Sequence, residues 1–342
     1  MSTDAPSQTR GTTPGGGAGK GSKGGPGLAG AESADRREVT QGRWAYTLLT
    51  PTLILLAVVI VYPIINAIIM SFQKDAGLDP ATGFFVQGGF AGADNYVHWL
   101  LQQCNGQACP PGTLGSQFWN AMGTTFFFTV ITVILETILG FWMAVIMARA
   151  FKGRSVIRAA VLVPWAIPTA VTAKLFFFMF AFDGIINQLF GTQILWTGSE
   201  GPARWAIIIS DVWKTTPFMA LLILAGLQLI PDEVYEAAKV DGASAWQRFT
   251  QITLPLVRPA LMVAILFRTL DVLRMYDLPA IMTGGANNTT TLSILVVQQV
   301  RQGLNGASAL STITFLVIFL VAFIFVRFLG ANAVESAAPK KK

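Results

Sequence analysis

Hydrophobic positions in this chain come in long unbroken runs, with the polar positions gathered between them. Six runs stand out, at 44–72, 118–148, 159–182, 205–230, 260–282 and 307–329. Each is near or above the ~20 residues an α-helix needs to cross a bilayer. Backbone polar groups in hydrocarbon must be satisfied within the segment, so apolar runs of this length predict helices. A transmembrane barrel would read as segments of about ten alternating residues, a pattern this sequence lacks. Pro51, Pro63, Pro164, Pro168 and Pro217 predict kinks. The expected fold is all-α, a polytopic membrane protein with six transmembrane helices.

Composition agrees with the pattern. Of 342 residues, 53% are hydrophobic and 12% charged, where soluble domains carry about a quarter charged. Residues 1–43 are Gly, Ser, Thr, Pro and charge without apolar period, which predicts a disordered tail. Within that tail PGGGAGKG resembles a phosphate-binding loop. However, Pro14 replaces its first Gly, Gly21 its Ser/Thr, and no strand precedes it, so it is rejected as an ATP site. The first apolar run is too long for a cleavable signal peptide and has no small-residue cleavage site behind it. The expected organisation is a tail at 1–43, a transmembrane domain at 44–330 with a polar loop at 231–258, and a short tail at 331–342 ending in Lys340–Lys342.

The net charge of +6 lies largely beside the runs. The 149–158 loop, RAFKGRSVIR, has four basic residues and no acid, and the 231–258 loop adds Lys239, Arg248 and Arg258. Six more basic residues sit in the N-terminal tail, and the alternate loops are poorer. By the positive-inside rule both termini are cytoplasmic, the 231–258 loop is cytoplasmic, and the 73–117 loop lies outside.

Candidate chemistry is sparse. One histidine and two cysteines cannot complete a four-ligand metal site. Cys104 and Cys109 (CNGQAC) form either a local disulfide, if their loop faces an oxidising compartment, or two free surface thiols. Ionisable groups inside spans are costly and point to function. Glu136 stands alone on the second run and Lys174 near the outer end of the third. Asp211 and Lys214 lie one turn apart on the fourth, where an intrahelical pair is expected. On the fifth, Arg268, Asp271, Arg274 and Asp277 recur every third residue with alternating sign, each step rotating by about 60°. Four such charges must pair with one another or face protein or a watered cavity. TGGANNTTT (283–291) follows, with glycines that let backbone approach a ligand or with turn-forming asparagines.

The loop IPDEVYEAAKVDGASAWQRFTQITLPLVRP predicts two short helices. Pro231 suits a first turn, and Asp232, Glu233 and Glu236 favour a helix N-terminus. Asp241 and Gly242 break the helix, with Asp241 as the expected N-cap of the second. Ala243, Trp246, Phe249 and Ile252 recur at helical spacing, and Pro255 and Pro259 are expected to end the element. Such a knob suits a groove on a soluble partner or lies on lipid.

This stretch resembles the EAA loop of ABC-importer permeases. It supplies Glu236, Ala237 and Ala238, then Asp241, Gly242 and Ala243, then Phe249, Ile252 and Leu254-Pro255 in the family's order. WKTTPFMALLILAGLQLIPDE before it and YDLPAIMTGGANNTTTLS after it resemble binding-protein-dependent sugar permeases of the maltose-transporter class. Residues 205–330 most resemble trehalose-importer permeases of mycobacteria. The likeness is clear over 205–330, weaker over 44–205 and absent from the tail. It implies a type I ABC-importer permease fold that moves a sugar, a disaccharide such as trehalose, across the cell membrane by alternating access. It also implies a coupling helix that docks on an ATPase, and a sugar path at Asp271, Arg274, Tyr276, Asp277, Gly284, Asn287 and Asn288. The implied partners are a second permease in a heterodimer, an ATPase dimer that binds ATP and Mg, and an extracellular sugar-binding lipoprotein. No cofactor, metal or catalytic site is expected on this chain, since no nucleophile–base set appears. The rival class is an ion-coupled secondary transporter working through Glu136, Asp211 or Asp271, for which inverted repeats would be the sign.

Overall fold

The computed structural model describes residues 47–78, 83–104 and 106–327. The expected tails, with the 14–21 stretch and Lys340–Lys342, lie outside them. Two units divide the chain, Met1–Pro63 and Ile64–Lys342. In the first, a π turn at Ala57–Val61 stands directly ahead of Pro63, and Tyr62 N–H bonds the Ala57 carbonyl. The wider turn gives the proline ring room against the preceding carbonyls.

Among the described residues, four helices are long and apolar enough to cross a membrane: Thr47–Ser71, Gly115–Ala148, Glu200–Leu227 and Leu304–Phe325. Two of the six runs are not continuous helices. The third is a bent pair, Arg154–Ala166 and Thr169–Met179, turned by 87°. Pro168 explains the break, because its ring disfavours helical geometry in the residue before it. Ile167 is extended, with φ −71° and ψ 132°. The fifth run stops at Val272 and restarts as a short helix, Asp277–Met282. Continued as one helix, Pro279 would clash with the Met275 carbonyl and leave it without a donor; in the first turn of a new helix neither cost arises. Pro164 and Pro217, by contrast, sit inside continuous helices.

The second and fourth spans form the centre of the second unit. Gly140 permits their close approach, since a Cβ there would lie 2.9 Å from Met219 Cβ and 3.2 Å from the Ala220 nitrogen. On one side of this contact Phe141, Met147, Ile223, Val257 and Leu261 form a core. On the other Phe128, Phe176, Ile207, Val272 and Met282 form a second. Buried hydroxyls on these helices bond back one turn, as from Thr125 to the Ala121 carbonyl and Thr129 to the Thr125 carbonyl, each 2.8 Å. The outward faces remain apolar: Val130, Ile134, Ile138 and Trp142 on the second span, and Phe315, Phe319 and Phe323 on the last. An unburied apolar surface of this extent belongs in lipid or against another membrane subunit.

Three two-stranded ribbons stiffen the 73–108 loop, pairing Gln73–Lys74 with Gly89–Phe90, Gly77–Leu78 with Phe85–Val86, and Gln103–Cys104 with Gln107–Ala108. Cys104 and Cys109 are disulfide-bonded across the last of them. Although His98 joins the two sulfurs within 4.8 Å, the bond consumes both thiolates a metal would need. The loop is tied to the last span by Asp75, whose carboxylate accepts the Asn305 and Gly306 N–H groups at 2.9 and 3.0 Å. Fully buried Trp99 adds a bond from its indole to the Gly306 carbonyl at 3.0 Å.

Candidate functional site

Glu136, read from the sequence as solitary, faces Arg268 across the second and fifth spans. The two form a buried, two-point ion pair, with Arg268 Nη2 donating to Glu136 Oε1 at 2.9 Å and Nε donating to Oε2. Arg268 Nη2 also donates to Asp211 and Nη1 to Asp271, so one guanidinium serves three carboxylates. Thr215 donates its hydroxyl to Glu136 and completes the set. The planar fork of arginine suits this task, since lysine would offer only a point charge. Burying an unpaired charge would cost several kcal/mol, roughly, and each group here has a partner.

The expected Asp211–Lys214 pair is not what forms. Asp211 turns to Arg268, while Lys214 Nζ donates to the Ile167 carbonyl at 2.8 Å and the Trp165 carbonyl at 3.4 Å. Those carbonyls end the helix before the Pro168 break, where a cation is favoured by both hydrogen bonding and the helix dipole. Residues one turn apart on the fourth span thus serve the two different helix breaks.

Between the breaks lies a cavity of about 400 Å³, walled by Trp165, Lys214, Asp271, Arg274, Tyr276 and Asp277. The structure therefore brings four of the expected path residues together. Asp271 has one oxygen on Arg268 and a side chain that is still 70% exposed. The other three expected residues lie elsewhere. Gly284 lines a separate hollow with Gln117, Gln298 and Arg301. Asn287 donates to the Thr197 carbonyl at 2.9 Å, and Asn288 accepts from the Asn120 amide at 2.9 Å. Both asparagines have positive φ, 56° and 55°, so turn chemistry explains them. Trp165, Thr169 and Thr215 line the cavity without having been singled out from the sequence. Only a contact between distant spans reveals them.

The 231–258 loop forms a helix at Asp232–Val240 and a second starting at Ala245. Three expectations are corrected. Pro231 stands at the N-cap, just before the first helix rather than in its first turn. Asp241 closes the first helix; Ser244 caps the second in a capping box with Gln247, with bonds of 3.3 and 2.7 Å. The Ser-x-x-Gln signal outranks a lone Asp because it satisfies two backbone donors reciprocally. Pro255 and Pro259 do not end the element. A π turn at Phe249–Thr253 takes up the strain, and the helix continues to Val272.

Gly242 has φ +76° with open space around it, so it makes a corner that disfavours side chains. Glu236 and Ala237 are exposed beside that corner, Ala238 and Ala243 half-buried. Val240 and Trp246 flank it, 88% and 69% exposed. Phe249, half-buried, stacks beneath Trp246 with ring centroids 5.5 Å apart. It packs on Phe141 and Trp142 of the second span and, with Tyr235, roots the knob in the core.

A family profile described as "Binding-protein-dependent transport system inner membrane component" matches residues 136–333. The chain is 37% identical over 295 residues to the trehalose/maltose transport system permease protein MalF of Thermococcus litoralis, covering 84% of this chain and 94% of that one. It is 36% identical over 298 residues to the trehalose transport system permease protein SugA of Mycobacterium tuberculosis, covering 86% and 91%. Among solved structures, a bacterial ABC transporter importing the acidic polysaccharide alginate shares the fold. The TM-score is 0.69 at 21% identity, over 88% of this chain and 99% of that one.

Proposed function

This chain belongs to the family of binding-protein-dependent transport system inner membrane components, and from that premise we propose that it passes a neutral disaccharide of the trehalose or maltose kind into the cytoplasm. It is a membrane permease subunit and not an enzyme. In this reading it pairs with a second permease, and an ATPase dimer holding ATP and Mg drives the pair between inward- and outward-open states. A sugar-binding lipoprotein delivers cargo from outside. The sites this chain contributes are the cavity and the 231–258 knob, with both termini cytoplasmic and Gly242 facing the ATPase.

The observation that carries the reading is the cavity at the two helix breaks. Its volume of about 400 Å³ falls in the range of small-molecule sites. Arg274, Asp271 and Asp277 offer donors and acceptors at one place, and Trp165 and Tyr276 offer ring faces, the combination a polyhydroxylated ring needs. The knob supports the ATP-driven mechanism, since exposed Val240 and Trp246 beside a glycine corner suit insertion into a partner's cleft.

The test is uptake of labelled trehalose and maltose into vesicles holding the whole complex. The account predicts accumulation that requires ATP and the binding protein and persists when ion gradients are collapsed. Accumulation driven by an ion gradient without ATP would establish the secondary-transporter reading instead.

A further inference from the structure

The buried charge set does more than the fold requires. A helix pair can be held by apolar packing alone, and the second and fourth spans have that already through Gly140, Met219 and Ala220. Nevertheless Glu136, Asp211 and Arg268 are all at least nine-tenths buried, and Arg268 spends its remaining nitrogen on Asp271 at the cavity wall. Asp271 is one residue from the end of its helix at Val272. Past that point Arg274 N–H bonds the Asp271 carbonyl at 3.1 Å and Met275 N–H the Val272 carbonyl at 2.9 Å. The orientation of Arg268 therefore fixes one oxygen of Asp271 and, through its carbonyl, the start of the segment that carries Arg274 and Tyr276 into the cavity.

Resting on the permease reading above, we propose that Glu136 is a positioning residue for cargo selection, acting with Asp211 through Arg268, the latter two also reaching the cavity wall. Glu136 and Asp211 hold the Arg268 fork in one orientation from two different spans. Arg268 in turn presents the free oxygen of Asp271 to the cargo as a fixed hydrogen-bond acceptor. Glu136 touches no cargo and selects through the chain Glu136–Arg268–Asp271. An acceptor fixed in this way rewards a hydroxyl at one place on a sugar ring and is blind to hydroxyls elsewhere. Loosening it should lower uptake and flatten the preference between isomeric disaccharides.

Two variants of the complete complex test this. Glu136→Gln keeps the shape and the oxygen that accepts from Thr215 and Arg268 Nη2, while removing the charge and the second oxygen that accepts from Arg268 Nε. Glu136→Met/Asp211→Leu/Arg268→Met replaces the buried charges together by apolar groups of similar size, a change that folds commonly tolerate. Complex yield and basal ATP hydrolysis report assembly. Competition among trehalose, maltose and sucrose in vesicles reports selection. The expected result in assembled complexes is uptake of the preferred sugar reduced about tenfold in the triple variant and less in Glu136→Gln, with the preference ratio falling toward one in both. Wild-type rate and preference in either assembled variant would overturn the proposal.

A second readout does not depend on the cargo. Tyr276→Cys places a thiol at the cavity, and its rate of reaction with a hydrophilic thiol reagent should change by at least about tenfold when Glu136→Gln is added. An unchanged rate would overturn the proposal even if the triple variant failed to assemble. If the wild-type complex takes up none of these sugars, the sugar reading falls, while the thiol rates still decide whether Glu136 shapes the cavity.

Discussion

The knob at Asp232–Arg248 and the buried set around Arg268 both bring charges of both signs close together, and they dispose of them in opposite ways. On the knob, Asp232, Glu233, Glu236, Lys239 and Asp241 are exposed, and among the described residues none forms an ion pair. Each is solvated separately, so each can be exchanged separately. Behind the cavity wall Arg268 binds Glu136 and Asp211 inside the protein, and Asp271 at the exposed edge. Glu136, Asp211 and Arg268 stand or fall together, because removing one strands buried charge in a medium that cannot solvate it, whereas Asp271, Arg274 and Asp277 beyond them are exposed. The knob leaves its charges to solvent, and the Arg268 set satisfies its buried charges within the chain.

The comparison breaks most sharply at Arg268. Arg268→Ala should leave Glu136 and Asp211 buried without the cation that pairs them and cost about 3–5 kcal/mol. Glu233→Gln on the knob should change stability by no more than about 0.5 kcal/mol. Thermal unfolding of the purified complex measures both, and comparable losses would erase the distinction. A smaller effect is expected at Asp75, which accepts two N–H groups at the start of the last span. Asp75→Ala should cost about 0.5–2 kcal/mol, the scale of a lost helix cap, and speed hydrogen exchange at Asn305 and Gly306.

The smallest expected effect is pH-dependent and lies in the disulfide loop. Burial holds His98 below the ordinary imidazole value of 6.5, while its bond to the Gln103 carbonyl works against the shift. The unfolded loop therefore takes up a proton first, so the loop is most stable above pH 6.5 and weakens as pH falls through that value toward the folded one. Hydrogen exchange over 94–109 should rise modestly on acidification, and His98→Gln should remove the trend. A loop that grew more protected in acid would contradict the burial argument.

What could be read from the sequence follows the same divide. The knob was legible because its determinants are local: an acidic first turn, an Asp-Gly break and an apolar spacing within about twenty residues. Its errors were also local, with Ser244 taking the cap from Asp241 and a π turn carrying the helix past Pro255. At the wall, Glu136 and Arg268 are 132 positions apart and Asp211 and Arg268 are 57 apart. No pattern along the chain pairs them. Nearest-neighbour reasoning joined Asp211 to Lys214 because it cannot know that Ile167 carbonyl lies within reach. Pro168 announced a kink but not its size, and Pro279, which announces the second break, sits where an apolar run hides it.

The account rests most directly on what the glycine corner meets. Gly242→Asp and Ala243→Asp put a carboxylate beside Val240 and Trp246, where docking would have to desolvate it. The decisive measurement is copurification of the ATPase with each variant from membranes, with uptake followed in the same preparations. The account predicts membrane insertion and binding-protein contact as in the wild type, with ATPase recovery reduced about tenfold or ATP hydrolysis uncoupled from uptake. Wild-type capture together with wild-type uptake in both variants would contradict it and return the knob to the surface of the lipid.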